Sequence, residues 1–161
     1  MKNKEAKEII LYLVFGALTT AVSMATYFGI LWLGEYLLVV SPSESRFYYV
    51  RLVAEILQWI FAVLFAFFTN KKWVFTDADR DTSTVKQLSV FAGGRLLTLG
   101  LDALITFGTV ALLQSAGYVM FAVNVLITVN VTADLIAKLI ASVFVVVTNY
   151  FISKLLVFKR A

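Results

Sequence analysis

The sequence predicts an all-α membrane protein with four transmembrane helices, arranged as two parallel-repeat helical hairpins with both termini on the cytoplasmic side. Of the 161 residues, 61% are hydrophobic and 15% are charged, whereas soluble domains are about half apolar and a quarter charged. The apolar residues fall into four long stretches, and most lysines and arginines lie at the ends that these hairpins place inside. We therefore expect a multi-pass protein of the cytoplasmic (inner) membrane.

Four apolar stretches are long enough to cross a bilayer, which takes roughly 20 helical residues. The predicted helices cover about residues 9–34, 48–73, 88–113 and 132–156. A polar break at 41–46 follows the first helix, and the most polar part of the chain, residues 76–87, follows the second. The first apolar run is too long for a signal peptide and lacks a clear cleavage site, so we expect it to be retained.

The segment between the third and fourth helices is apolar but short. Residues 118–131 number 14, too few for a span. We expect a helix lying in the membrane interface there, or an extension of the fourth helix. The whole chain, residues 1–161, is predicted to form a single transmembrane domain.

The basic residues set the predicted orientation. With the N-terminus inside, the outer side keeps only Arg46, Arg51 and Lys138. The inner side holds Lys2, Lys4, Lys7, Lys71, Lys72, Arg80, Lys86, Arg95, Lys154, Lys159 and Arg160. This bias satisfies the positive-inside rule. The net charge of +4 therefore needs no nucleic-acid partner to explain it.

An internal repeat relates the two halves, covering about residues 9–75 and 88–158. A shift of 83 places the second helix on the fourth and matches Ala54, Phe61, Val63, Phe68, Lys71, Val74 and Phe75 with Ala137, Phe144, Val146, Phe151, Lys154, Val157 and Phe158. A shift of 76 puts Phe15, Thr19 and Thr26 on Phe91, Arg95 and Asp102, which is a weaker match. Both hairpins start and end inside, so the repeats are parallel.

Four ionisable residues lie inside predicted spans at matched positions. Arg51 and Glu55 are one helical turn apart on the second helix, as are Asp134 and Lys138 on the fourth. This spacing makes an ion pair available within each helix. The shift of 83 inverts the sign at both places, so an ion-pair clasp between helices is the structural alternative to a role in substrate binding.

The third helix carries a polar stripe. Arg95, Thr98, Asp102, Thr106 and Thr109 recur at spacings of three and four, which places them on one helix face. Asp102 falls near the middle of the span, where a charge is costly, so we expect Arg95, Thr98 and Asp102 to bind a substrate. A milder stripe on the first helix comprises Gly16, Thr19, Ser23 and Thr26. Close helix packing with interhelical hydrogen bonds explains the small and hydroxyl side chains equally well.

Polar residues also mark the inner ends of the second and fourth helices: Asn70, Lys71, Lys72, Asn149 and Lys154. Lysines at this depth anchor a helix against anionic membrane lipids. Collecting a phosphorylated lipid at the inner leaflet is the second interpretation of this inner rim.

Several kinds of chemistry are excluded by composition. The chain has no cysteine and no histidine, so thiolate nucleophiles and the usual zinc or haem ligands are absent. It also has no glycine-rich phosphate loop followed by Lys-Ser or Lys-Thr. We predict that the protein is not an enzyme and uses no metal or cofactor.

Three segments together resemble the GtrA-like family of small four-helix membrane proteins. They are Phe15-Gly16-Ala17-Leu18-Thr19, the run from Asn70 to Phe75, and the run from Asn149 to Phe158. The resemblance extends over nearly the whole chain, from about Leu11 to Lys159. It implies translocation of a polyprenyl-phosphate-linked sugar across the membrane for glycosylation of a cell-surface polysaccharide. It also implies a membrane-associated glycosyltransferase as partner.

Two rival functions remain open at this point, and a homo-oligomer is open with each. The chain can instead be a membrane anchor or scaffold that recruits the glycosyltransferase, which would give more weight to residues 76–87 than to Asp102. It can also be a small cation or drug exporter. Exporters of that size carry an essential glutamate in the first helix, and this helix has no acidic residue between Glu8 and Glu35.

Overall fold

Four α-helices form most of the protein in the computed structural model, which describes residues 2–38, 47–78, 82–124 and 128–159. They are α1 (Lys2–Leu38), α2 (Phe47–Thr69), α3 (Thr84–Ser115) and α4 (Ala133–Ile152). Within those ranges, each of the four is long and apolar enough to cross a membrane. The predicted break at 41–46, and Arg80 and Arg160 of the charge argument, lie outside the described residues.

Two helices are much longer than the hydropathy pattern predicts. α1 has 37 residues and α3 has 32, which correspond to about 55 Å and 48 Å of helix. A hydrocarbon layer is only about 30 Å thick, so both helices must extend beyond it. Hydropathy marks only the part in lipid, whereas the Lys, Glu and Ala residues before Ile9 are strong helix formers and continue α1.

The helix surfaces are apolar. Large side chains such as Leu104 and Phe107 on α3 are 73% and 75% exposed. A soluble protein of this size would not leave so many large apolar side chains uncovered. Lipid chains cover such surfaces in a membrane, so the exposure agrees with four membrane-spanning helices.

In the first half of the chain, α1 and α2 pack antiparallel. Gly34, near the end of α1, lies against Val50, near the start of α2, and an added Cβ at Gly34 would collide with Val50 Cγ1. At the other end of the pair, Tyr12 packs on Phe75, with ring centroids 6.3 Å apart. The small residue at position 34 therefore allows close contact between the two helices.

In the second half of the chain, α3 and α4 also pack antiparallel. A Cβ added to Gly94 would lie 2.7 Å from Ile152 Cγ2, so the two helices are in close contact there. Phe91 packs on Phe158, with ring centroids 6.2 Å apart. Ala137 and Ala141 on α4 are completely buried.

A π-helical turn follows both α2 and α4. The first covers Asn70–Val74 and the second Ser153–Val157. In each, a wide i to i+5 hydrogen bond closes the turn: Phe75 N donates to Asn70 O, and Phe158 N donates to Ser153 O, both at 2.8 Å. The two turns are 83 residues apart, the spacing of the predicted repeat. The repeat and the orientation in the membrane stay predictions.

The expectation of a helix at residues 118–131 is wrong. Strand β1 (Phe121–Asn124) pairs antiparallel with β2 (Thr128–Val131), with Phe121 opposite Val131. Valine, threonine and phenylalanine dominate these strands, and β-branched and aromatic residues favour a pleated strand. Gly117, with a positive φ of 73°, ends α3 in the left-handed conformation that glycine adopts without strain. Whether the hairpin lies in the interface stays a prediction.

Candidate functional site

An ion pair joins α3 and α4 within the apolar part of both helices. Lys138 Nζ donates to Asp102 Oδ2 at 2.6 Å. The side chain of Asp102 is 30% exposed and that of Lys138 is 59% exposed. The two charges therefore neutralise one another at the surface of the helical pair, rather than in a closed core.

The lysine reaches toward the middle of α4 to make this pair. Contacts of Gly94 with Ile152 and of Thr98 with Asn149 set the antiparallel register, which places Asp102 level with about residue 145. The Cα of Lys138 then lies about 10 Å nearer the start of α4. A lysine near a helix end normally extends toward water, so Asp102 determines the direction of this side chain.

A second polar contact lies one turn along α3. Thr98 Oγ1 is 3.1 Å from Asn149 Oδ1 and 3.0 Å from Arg95 O, and its single hydroxyl proton is available to both acceptors. Thr98 and Asn149 are both buried. A buried polar side chain needs a partner, and each supplies the other. Asn149, predicted at the inner rim with the lysines, is instead in contact with Thr98.

Arg95 is half-buried and has no carboxylate partner among the described residues. Its guanidinium carbon lies 5.1 Å from the ring centroid of Phe91, a cation–π contact. Asp102 binds Lys138 and not Arg95. Because an aromatic ring does not neutralise the guanidinium, Arg95 retains the capacity to bind an anion.

Thr106 adds an unused hydroxyl to the same face of α3. Its Oγ1 is buried and has no hydrogen-bond partner in the part of the chain that the structure describes. Thr106 follows Asp102 by four residues, so both lie on one face. This hydroxyl is therefore a buried polar group on the face that carries Asp102.

The first helical pair holds a different polar cluster. Ser23 Oγ donates to Gln58 Oε1 at 2.9 Å, and Gln58 Nε2 donates to Glu55 Oε2. A hydroxyl, an amide and a carboxylate are thus connected from α1 to α2. The spacing makes an ion pair of Arg51 with Glu55 available, but the Arg51 guanidinium lies over the Phe47 ring instead, at 5.4 Å.

The predicted pair of Asp134 with Lys138 is also not formed. Asp134 is exposed in the first turn of α4, where a negative charge interacts favourably with the helix dipole. Thr132 caps this helix by accepting a hydrogen bond from Leu135 N at 3.1 Å. Lys138 instead pairs with Asp102 on α3, and not with Asp134 on its own helix.

The lysines near the π turns lie on aromatic rings. Lys71 is 5.8 Å from the Phe67 centroid and Lys72 is 4.7 Å from the Trp73 centroid. Lys154 donates to Tyr150 Oη at 2.8 Å. Cation–π contacts of this kind hold the ammonium groups near the helix ends.

Asn70 is buried at the first position of the first π turn. Its carbonyl accepts the hydrogen bond that closes the turn. Asn70 therefore begins the π turn that also contains Lys71 and Lys72.

Gln58 was not among the residues predicted from the sequence. The available signal was a polar amide three residues after Glu55 in an otherwise apolar helix. Residues three apart are neighbours on a helix surface, so Gln58 could have been expected to contact Glu55. No group of three Asp, Glu, His or Cys side chains able to hold a metal ion occurs among the described residues.

Comparisons with known proteins cover nearly the whole chain. Residues 11–158 match the family model described as GtrA/DPMS, transmembrane domain. The chain is 31% identical over 151 residues to the uncharacterized membrane protein YwcD of Bacillus subtilis, covering 93% of this chain and 95% of that protein. It is 30% identical over 156 residues to the cell wall teichoic acid glycosylation protein GtcA of Listeria monocytogenes, covering 96% and 87%. The GtcA protein of Listeria innocua is 30% identical over 152 residues, covering 94% and 84%.

Proposed function

Because this multi-pass membrane protein belongs to the GtrA/DPMS transmembrane-domain family, we propose that it flips a polyprenyl-phosphate-linked monosaccharide across the cytoplasmic membrane. The sugar would then be used to glycosylate a cell-surface polysaccharide. Relatives named for glycosylation of cell wall teichoic acid support this role. A membrane-associated glycosyltransferase would supply the lipid-linked sugar, and this chain performs no catalytic step in the proposal.

The ion pair of Asp102 with Lys138 is the observation that carries the proposal. A charged side chain at the centre of a span costs about 2.5–3.5 kcal/mol to insert. Asp102 lies near the middle of α3, where an apolar residue would pack without that cost. The pair also lies at the surface of its two helices, since more than half of the Lys138 side chain is exposed. A pair of charges at such a surface supports a path for a polar headgroup beside these helices.

The proposed mechanism exchanges partners at Lys138. The phosphate of the sugar lipid takes the place of the Asp102 carboxylate, so the ammonium group is never left without an anion. Arg95, whose guanidinium lies over the Phe91 ring, binds the phosphate earlier on the path. Asp102 then accepts hydrogen bonds from sugar hydroxyls, while the polyprenyl chain stays in lipid.

The lysines at the π turns would collect the substrate. Lys71, Lys72 and Lys154 lie near the helix ends that the sequence predicts to be cytoplasmic. An interfacial lysine attracts anionic lipid headgroups with about 1 kcal/mol. Four helices alone enclose little of a path for a polar headgroup. The proposal therefore includes a homo-oligomer, in which several copies would enclose it.

Reconstitution in liposomes tests the proposal. The pure protein is incorporated with a fluorescent polyprenyl-phosphate glucose, and a membrane-impermeant quencher reports how fast the headgroup reaches the opposite leaflet. Asp102→Asn and Arg95→Gln should each slow this movement at least about tenfold, the effect of losing one charge-assisted hydrogen bond. Lys86→Gln is the matched control, because it neutralises an exposed lysine on the same helix, nine residues before Arg95, and should leave the rate unchanged.

Two results would oppose the proposal. Unchanged rates in folded Asp102→Asn and Arg95→Gln proteins would disprove the mechanism. No acceleration by the unaltered protein would favour the scaffold role, and co-purification of a glycosyltransferase, lost on replacing residues 76–87, would then support it.

A further inference from the structure

The cluster of Ser23, Gln58 and Glu55 has hydrogen-bonding capacity that its internal contacts do not use. A glutamine side chain has two N–H donors and two acceptor lone pairs. Gln58 gives one N–H to Glu55 and accepts one hydrogen bond from Ser23. One donor and one lone pair of Gln58 therefore remain, together with most of the acceptor positions of the Glu55 carboxylate.

The Glu55 carboxylate also has no cationic partner among the described residues. Arg51, one turn earlier on α2, lies over the ring of Phe47. The facing helix α1 carries no charged residue between Glu8 and Glu35. The side chain of Glu55 is exposed, so its negative charge acts on whatever occupies the adjacent surface.

Helix packing alone does not account for the carboxylate. The contact between Ser23 and Gln58 already joins α1 to α2 with neutral groups, as interhelical hydrogen bonds in membranes commonly do. Glu55 makes no hydrogen bond to α1 among the described residues. Its hydrogen-bond partner is Gln58, which lies on the same helix α2. An ionisable residue retained within a span under these conditions indicates a functional role.

From these observations we infer that Ser23, Gln58 and Glu55 bind the sugar of the translocated lipid and select an uncharged sugar over an acidic one. This inference rests on the proposed function and specifies its substrate class. Each sugar hydroxyl both donates and accepts, which matches the acceptor positions of Glu55 and the remaining N–H of Gln58. A uronic acid would place a second carboxylate beside Glu55, and like charges at that distance repel strongly.

A binding assay that does not depend on translocation tests the inference. The purified protein in nanodiscs is titrated with short-chain polyprenyl-phosphate glucose and with the corresponding glucuronic acid lipid, which differ only at one carbon of the sugar. The glucose lipid should bind about tenfold more tightly than the glucuronic acid lipid. Glu55→Gln keeps the shape of the side chain and should reduce this ratio to about threefold or less.

Two further variants make the test specific. Ser23→Ala removes the hydroxyl that orients Gln58 and should weaken binding of both lipids about threefold while leaving their ratio unchanged. Glu35→Gln, an exposed residue of α1, is the matched control because it removes the same charge outside the cluster. It should change neither affinity.

The results separate the inference from the proposed function. An unchanged ratio in Glu55→Gln, or equal binding of both lipids by the unaltered protein, would overturn the inference even if liposomes show translocation. A ratio that shifts in Glu55→Gln while translocation is absent would support the sugar-binding cluster and reject flipping. Equal weakening of both lipids by Glu55→Gln would also overturn the inference, since it would show a structural role.

Discussion

Replacing Asp102 with asparagine should destabilise the pair of helices α3 and α4 by about 1–3 kcal/mol. Interhelical hydrogen bonds in membranes contribute about 0.6 kcal/mol on average and about 1.7 at most. The stranded ammonium of Lys138 adds to this loss, because an uncompensated charge in a span costs up to about 3 kcal/mol. The exposure of Lys138, 59% of its side chain, lets it turn toward the start of α4 and recover part of that cost.

A double-mutant cycle measures the coupling directly. The proteins compared are the unaltered chain, Asp102→Asn, Lys138→Met and the double variant, each unfolded reversibly in bicelles. Because the double variant leaves no charge stranded, it should be more stable than Asp102→Asn alone. The coupling free energy should be about 1–2 kcal/mol.

An exposed ion pair in the first half of the chain provides the control. Lys4 Nζ lies 2.5 Å from Asp77 Oδ2, but both side chains are exposed beyond the lipid-spanning part of the first helical pair. An exposed pair in water contributes about 0.2–1 kcal/mol and weakens with salt. A cycle with Lys4→Met and Asp77→Asn should therefore show smaller coupling. If the coupling of Asp102 with Lys138 is below about 0.5 kcal/mol, or falls with salt as the control does, the two residues do not form a pair within the membrane.

Two further substitutions test the helix contacts. Gly34→Ala should lower stability in bicelles by about 1–3 kcal/mol, because the new methyl group collides with Val50. Gly16→Ala is the control and should not lower stability, because the space around that site is open. Equal effects of the two substitutions would refute the close contact. Thr98→Val should cost about 1–2 kcal/mol in the same assay, because it leaves Asn149 Oδ1 buried without that donor. A neutral result would show that Asn149 finds another partner.

The four helices could be predicted from the sequence because lipid exposure requires long apolar runs. The ends of the helices could not be predicted in this way. Hydropathy does not detect helical residues that lie in water, such as those in the first turns of α1. The segment at 118–131 shows the opposite failure. Its length excluded a span correctly, but apolar content alone does not distinguish a helix from strands. The β-branched residues at Thr128, Val129 and Val131 were the available signal.

The charged positions in the spans could also be predicted, but their partners could not. Spacing along one helix favoured Asp134 as the partner of Lys138, and the structure pairs Lys138 with Asp102. One-helix spacing contains no information about which residue of another helix lies opposite. A lysine side chain also reaches partners far along the helix axis, so the register of the backbone does not determine its contact.

The two helical pairs share a framework and differ in its polar groups. Ala54 and Ala137, 83 residues apart, are both completely buried, and both pairs end in a π turn. At another matched position the first pair has Glu55 and the second has Lys138. A repeat that served packing alone would have no reason to place opposite charges there. The predicted repeat is therefore matched in its buried small residues and backbone turns but not in its charges, so the charges need an explanation other than packing.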